Sequence, residues 1–255
     1  MFKLFSSASR TSRNEVLPKD FSFLKTDIHS HLIPGIDDGS PDVAESIVLI
    51  KHMQRLGFSR IVTTPHIKWE RYPNTRETIT AGLQQLQAGM AAEQINFEVR
   101  AAAEYYLDDH FFSLLDKQEP LLTIDENKVL VEFSFYAEPF QPHDTFFRIQ
   151  TAGYQPVLAH PERYGYFHER KEMYKTLKNA GAMLQLNLLA LTGYYGKKAQ
   201  QVSEWMLKEG LYDFCGTDMH HTKHAEGLKD LISSRQLQLL QQYPSFRNAG
   251  LGGTQ

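Results

Sequence analysis

The sequence predicts an α/β protein closed as a parallel (β/α) barrel, and three observations predict it. Seven short runs rich in β-branched and apolar residues recur along the chain, each followed by an amphipathic stretch of helical period, the pattern of parallel βα units. No Gly-x-Gly-x-x-Gly turn follows any of them, which argues against a dinucleotide-binding sheet. In six of the seven runs a metal-binding residue type stands at or near the C-terminal end. An open sheet spreads such ends along a line, whereas a barrel gathers them on one rim, where barrel enzymes place their chemistry.

The runs are LKTDIHSH, SRIVTTPH, FEVRAAAEYY, KVLVEFS, QPVLAHPER, AMLQLN and LYDFCGTDMH. After the first, Ser40-Pro41-Asp42 supplies a cap and a proline for a helix whose apolar face is Ala44, Ile47, Val48 and Ile50, and Gly57 stops it. Further helices are expected over Asn74–Ala92, His168–Ala180, Gly196–Glu209 and Lys223–Gln242. With 255 residues and 42% hydrophobic content the chain can bury one large core, so a single barrel domain is expected over residues 21–247. The Ser/Arg-rich residues 1–20 and the Gly-rich residues 248–255 read as flexible tails.

A net charge of -3 provides no field for neutralising a nucleic-acid backbone, so DNA and RNA are poor partners. The one cysteine, Cys215, excludes an internal disulfide and a Cys-rich zinc motif, and it fits a reducing, cytoplasmic setting. A cysteine-nucleophile phosphatase needs arginine six residues after its cysteine; His221 stands there instead. No apolar run is long enough for a signal-peptide core or a membrane span. Phe2, Leu4 and Phe5 beside Lys3 leave the first residues as the one place for peripheral contact with the inner membrane.

Residues two apart on a strand share a face, so Asp27, His29 and His31 line up, and Asp218 and His220 repeat the spacing. If the first and last strands are neighbours, imidazoles and carboxylates from both motifs lie side by side. His66, Glu104, Glu132 and His160 come from other strand ends, and Asp37-Asp38 sit in a Gly-flanked loop, GIDDG, able to bend over the rim. Singly, each has an ordinary reading as a structural histidine, a solvated charge or a turn. Together, carboxylates crowded on one rim repel unless divalent cations sit among them, and mixed imidazole and carboxylate donors suit Mn, Fe or Zn. His52, His110, His143 and His168 fall on helices or loops and are expected at the surface; His221 and His224 follow the last motif closely enough to reach the site mouth.

DIHSHLIPGIDDG, TTPH, AAEYY, VEFS, LAHPERY and GTDMHH, in that order from Thr26 to His221, resemble the polymerase and histidinol phosphatase (PHP) superfamily. They are most similar to its bacterial capsule and exopolysaccharide branch, the manganese-dependent protein-tyrosine phosphatases. The resemblance implies a distorted seven-stranded TIM-like barrel with three metal ions. His29, His31, Glu104 and Asp218 would hold the first; Glu104 would bridge to a second with Glu132 and His160; Asp38, His66 and His220 would hold the third. It implies hydrolysis of protein phosphotyrosine by a metal-activated hydroxide, with Arg163, Asp38 and His66 acting in catalysis. Arg163 would bind the phosphoryl group unless it is spent on a salt bridge to Glu162 or a neighbour. The usual second arginine after the last Asp-x-His is absent, and Lys223 or His224 stands in its place for substrate binding. Tyr105, Tyr106, Tyr136, Tyr164 and Tyr194 are the aromatics available to stack on a phosphotyrosine ring. The partner implied is a bacterial membrane tyrosine kinase with a tyrosine-rich tail. A small-molecule phosphatase such as one acting on histidinol phosphate, a non-catalytic metal-binding scaffold, and a polymerase-associated nuclease or pyrophosphatase are the alternatives.

Overall fold

A computed structural model describes residues 19–251 of the chain. The expected tails lie outside the described residues at 1–18 and 252–255. Among the described residues, nine short strands form two parallel sheets. The smaller has the order β1 (Thr26–Asp27), β2 (Arg60–Thr63), β4 (Glu98–Ala101). The larger runs β3 (His66–Ile67), β5 (Glu104–Tyr106), β6 (Lys128–Glu132), β7 (Gln155–Ala159), β8 (Met183–Asn187), β9 (Phe214–Gly216).

Nine strands replace the expected seven because two runs are interrupted. Pro65 has no N–H to give a ladder, so SRIVTTPH splits into β2 and β3, and its neighbour splits into β4 and β5 at Ala102-Ala103. Register survives the break, since Thr63 faces Ala101 before it and His66 faces Glu104 after it. The first and last runs are neighbours: Ser30 bridges Met219 in parallel, the His29 carbonyl accepts from the Asp218 N–H at 2.7 Å, and the Met219 carbonyl accepts from the His31 N–H at 2.9 Å.

Eight α-helices lie among the described residues: α1 (Val43–Arg55), α2 (Arg76–Ala92), α3 (Asp109–Asp116), α4 (Pro142–Thr151), α5 (Glu172–Asn179), α6 (Lys197–Lys208), α7 (Thr222–Ile232) and α8 (Arg235–Gln242). In α1 the cap is Asp42 rather than Ser40, its carboxylate accepting the Glu45 N–H. The buried stripe is therefore Ser46, Ile47, Leu49, Ile50 and Met53, while Ala44 and Val48 face solvent. The helix expected over Lys223–Gln242 is two, because the Ser234 hydroxyl accepts the Gln236 N–H and starts α8 afresh. None of these helices is long and apolar enough to cross a membrane.

Two apolar clusters fill the fold. The larger packs helices against strands. The smaller takes Ile28, Val62, Ala102, Leu130, Val157, Ala159 and Phe214 from the strand runs and includes Leu251. Residues 248–251, expected in the C-terminal tail, are part of the body. Asn248 is fully buried, donating to the Thr26 and Cys215 carbonyls at 2.9 and 2.7 Å and accepting the Cys215 N–H at 3.0 Å. One side chain thereby satisfies backbone groups of both the first and last strands, at a seam where the ladder is short.

Candidate metal centre

The strand ends bring all nine expected ligands together. Their donor atoms fall into four overlapping groups, each within 4.8 Å: His31, Asp38, His66, His220; His29, His31, Glu104; His29, His160, Asp218; and His66, Glu104, Glu132. Strand register places three of them, since His66 stands opposite Glu104, and Tyr106, two residues further along that strand, stands opposite Glu132. The backbone bends to complete the set. His160 and Asp218 adopt left-handed conformations, φ 34° and 51°, which costs non-glycine residues about 1 to 3 kcal/mol each and turns these side chains from the ladder toward the rim.

The two remaining acids of the motifs, Asp27 and Asp37, stand outside these four groups. Asp27 is buried and accepts from the Thr217 N–H and hydroxyl at 2.8 and 3.2 Å; burial pushes its carboxyl up to about 7. Asp37 accepts from His31 Nδ1 at 2.8 Å, the His66 N–H at 3.0 Å and the Gly39 N–H at 3.0 Å. It fixes the His31 ring with Nε2 toward the cluster and folds the GIDDG loop onto the rim. Gly39 makes that fold feasible, because a Cβ there would lie 2.2 Å from the His31 carbonyl oxygen.

Electrostatics make this a cation site. His31 Nε2 lies 3.4 Å from His29 Nε2, and both lie 3.4 Å from Asp218 Oδ1. Burial works against charge on His29, but Glu104 and Asp218 overcome it and raise the ring to about 9; for His66, Glu104 does the same, to about 10. Burial resists charge on Glu104 too, yet the histidines hold it well below the usual carboxylate range, while burial and the Glu104 charge push Glu132 up to about 8. Burial and the neighbouring Arg163 drive His160 down to about 4. His160 Nδ1 is buried with no hydrogen-bond partner, and Glu104 Oε2 and His66 Nδ1, 3.0 Å apart, lack the alignment of a hydrogen bond. Buried polar atoms aimed at one another without satisfaction are what divalent ions would relieve, and the donors, imidazole and carboxylate with no thiolate, fit them.

Arg163 joins this centre. Its Nη1 donates to Asp218 Oδ2 at 2.7 Å, and its guanidinium lies 4.7 Å from the Phe135 ring and 4.1 Å from the Tyr195 ring. The salt bridge weighed as the alternative is thus made, with Asp218 and not with Glu162, which is buried and accepts from the Asn187 N–H and the Tyr212 hydroxyl.

The expected second substrate cation fares differently. Lys223 is exposed on the first turn of α7. His224 is buried, its Nδ1 donating to the Asp218 carbonyl at 2.9 Å, and burial lowers it to about 4, so it stays neutral and holds the Asp218 turn rather than a phosphate. Among the tyrosines, Tyr105 and Tyr164 are buried with their hydroxyls bonded to backbone, and Tyr106 lies under Lys68. Tyr194 is half exposed against His224, and Tyr136 stands in solvent.

Sequence reasoning missed the groups that orient the ligands. Tyr72 stacks on His66 at 5.5 Å and 7°. Gln185 Oε1 accepts from His29 Nδ1 at 2.9 Å and the His160 N–H at 3.3 Å; Asn187 Nδ2 donates to Asp218 Oδ2 at 2.9 Å. A signal existed: AMLQLN, the one run without a ligand, carries these two amides two residues apart at its C-terminal end.

A family model described as capsular polysaccharide synthesis, CpsB/CapC, matches residues 25–232. CapC of Staphylococcus aureus is 30% identical over 213 residues, 83% of each chain. The tyrosine-protein phosphatase YwqE of Bacillus subtilis (strain 168) is 31% identical over 197 residues, 77% of this chain and 78% of that one. A chain from the crystal structures of YwqE from Bacillus subtilis and CpsB from Streptococcus pneumoniae, described as unique metal-dependent tyrosine phosphatases, superposes with a TM-score of 0.76. It is 28% identical and covers 88% of this chain and 89% of its own. A match spanning residues 25–232, most of the chain, means that this chain belongs to the CpsB/CapC family of capsular polysaccharide synthesis.

Proposed function

We propose that this chain is a metal-dependent protein-tyrosine phosphatase acting in polysaccharide production. The observation that carries the reading is the convergence of nine imidazole and carboxylate ligands beside Arg163. The named activities of its relatives point the same way. We read the nine strands as seven runs closed into a distorted (β/α) barrel, one domain over residues 21–251. The seam between first and last runs and the separate inner cluster support closure.

We assign His29, His31, Glu104 and Asp218 to one ion, Glu132 and His160 with the shared Glu104 to a second, and Asp38, His66 and His220 to a third. Mn2+ is the first choice, Fe or Zn the next; the four donor groups support an assignment of this kind. When bound, such ions supply Lewis-acid charge for phosphoryl oxygens and acidify water enough for attack near neutral pH. Arg163, bonded to Asp218 through Nη1 and lying over the Phe135 and Tyr195 rings, retains donors of its planar fork for the phosphoryl oxygens. Asp37, Gln185 and Asn187 keep His31, His29 and Asp218 oriented. The leaving phenolate, with a parent pKa of about 10, requires less acid assistance than an alkoxide. We assign the reaction to the cytoplasm and the substrate to the tyrosine-rich tail of a bacterial membrane kinase.

The test is phosphate release from a phosphotyrosyl peptide beside a phosphoserine peptide and histidinol phosphate, with manganese and with a chelator. Selective, chelator-sensitive turnover of the phosphotyrosyl peptide is expected, and Arg163→Ala should lower kcat by about 10²-fold or more while still binding manganese. Turnover of histidinol phosphate alone would refute the substrate assignment.

A further inference from the structure

The segment Ser134–Gln141, SFYAEPFQ, leaves β6 just past Glu132 and enters α4. Its backbone is tied down. The Ser134 hydroxyl accepts the Tyr136 and Ala137 N–H groups at 3.1 and 3.2 Å, and the Ser134 carbonyl accepts from the Tyr166 hydroxyl at 2.8 Å. Phe135, itself 36% exposed, lies against the site, its ring 5.4 Å from His160 at 26° and 4.7 Å from the Arg163 guanidinium. Tyr136 and Phe140 turn outward and are 97% and 94% exposed.

Single exposed apolar side chains are ordinary and need no partner. Here one anchored loop touches the site with one aromatic ring and holds two more almost wholly in water. Aromatic side chains carry large contact area at low conformational cost, and a loop already ordered loses little more on binding. We propose that Tyr136 and Phe140 form a docking surface for the polypeptide that bears the phosphotyrosine, engaging apolar residues that flank it. This rests on the phosphotyrosine reading above.

The occupant follows from continuity and charge. Phe135, on the same short loop as the two exposed rings, packs against Arg163 and His160, so a chain covering the loop runs on toward the reacting group. The loop's one charged residue, Glu138, is paired with Arg170 at 2.5 Å, and the loop has no Lys or Arg. It therefore offers apolar contact, suited to an apolar peptide flank and unsuited to an anionic lipid surface, which calls for basic residues.

The experiment compares the full chain with the double variant Tyr136→Ser/Phe140→Ser, both loaded with manganese. Three substrates are used: a phosphotyrosyl peptide flanked by leucine and valine, the same peptide flanked by glycine and serine, and phenyl phosphate. The expected result is a roughly tenfold fall in kcat/KM for the apolar peptide, mostly in KM, with the other two substrates unchanged. Equal losses on all three, or no loss on the apolar peptide, overturn the proposal. A changed mass in solution by light scattering makes a second copy the occupant, and loss of wild-type binding to phosphatidylglycerol vesicles makes it a bilayer; either overturns it too. If wild type hydrolyses neither peptide nor phenyl phosphate, the phosphotyrosine reading fails and the docking proposal falls with it. Turnover of phenyl phosphate and both peptides with no preference between them defeats docking alone.

Discussion

Replacing Gln185 by leucine tests whether a residue that touches no ion governs metal binding. Gln185 is fully buried; its carbonyl oxygen accepts from His29 Nδ1 and the His160 N–H, and its amide donates to the Leu186 carbonyl at 2.6 Å. Bonding at Nδ1 leaves His29 Nε2 facing Glu104 Oε1 at 3.3 Å and Asp218 Oδ1 at 3.4 Å. Leucine strands two buried donors, at about 1 to 3 kcal/mol each, and returns part of that through apolar contact, so a net loss of about 2 to 4 kcal/mol is expected. Freed rotation of His29 should weaken manganese binding by about 10- to 100-fold. Gln185→Glu keeps both acceptor roles and should bind metal well, although it loses the donor to Leu186. Urea unfolding of the metal-stripped proteins measures the first effect, and calorimetric manganese titration the second. A leucine variant that binds manganese as wild type does, or a glutamate variant as weak as leucine, would refute the positioning role.

Three further outcomes follow from the same geometry. Burial raises Glu162 from 4.5 to about 7, so the folded state holds its proton more tightly than the unfolded one. The associated stability is complete below pH 4.5 and is lost as pH rises through 7, about 3 kcal/mol in all; Glu162→Gln, which can satisfy both Asn187 and Tyr212, should flatten that decline in unfolding curves taken from pH 5 to 8. Gly39→Ala places a methyl 2.2 Å from the His31 carbonyl oxygen and 2.4 Å from its Cβ, so it should cost about 1 to 3 kcal/mol and weaken manganese binding. Thermal melts with and without metal check both, and an unchanged melting temperature would contradict the close approach. Without metal, His29 at about 9, His66 at about 10 and Glu132 at about 8 are protonated at pH 7. Ligation requires them deprotonated, so metal binding should release about three protons and strengthen as pH rises. Calorimetry in buffers of different ionisation enthalpy counts them, and release of fewer than one would show that these groups are not ligands.

Much of the centre was legible because strand alternation is local. His29 and His31 reach one site through their spacing, and a strand-end residue in a parallel array has only one rim to occupy, whereas Asp218 and His220 come together only through the left-handed turn at Asp218. The break at Pro65 was legible in principle, because proline lacks the donor a ladder needs. That Ala102-Ala103 breaks with it was not, since it depends on the facing strand.

The sequence by itself determined the candidate ligand types, their order along the chain and the parallel βα repeat, all of which rest on short-range patterns. Tertiary structure decided which neighbours serve the ligands. Gln185 meets His29 across 156 positions, Thr217 meets Asp27 across 190, and Asn248 meets Thr26 across 222. It also decided that His224 turns under the Asp218 carbonyl while Lys223, one residue earlier, stays in water, because the start of α7 sends adjacent side chains to different faces. Hydrogen-bond partners of that kind exist only once distant strand ends have closed on one another, and no local pattern encodes the distance between them.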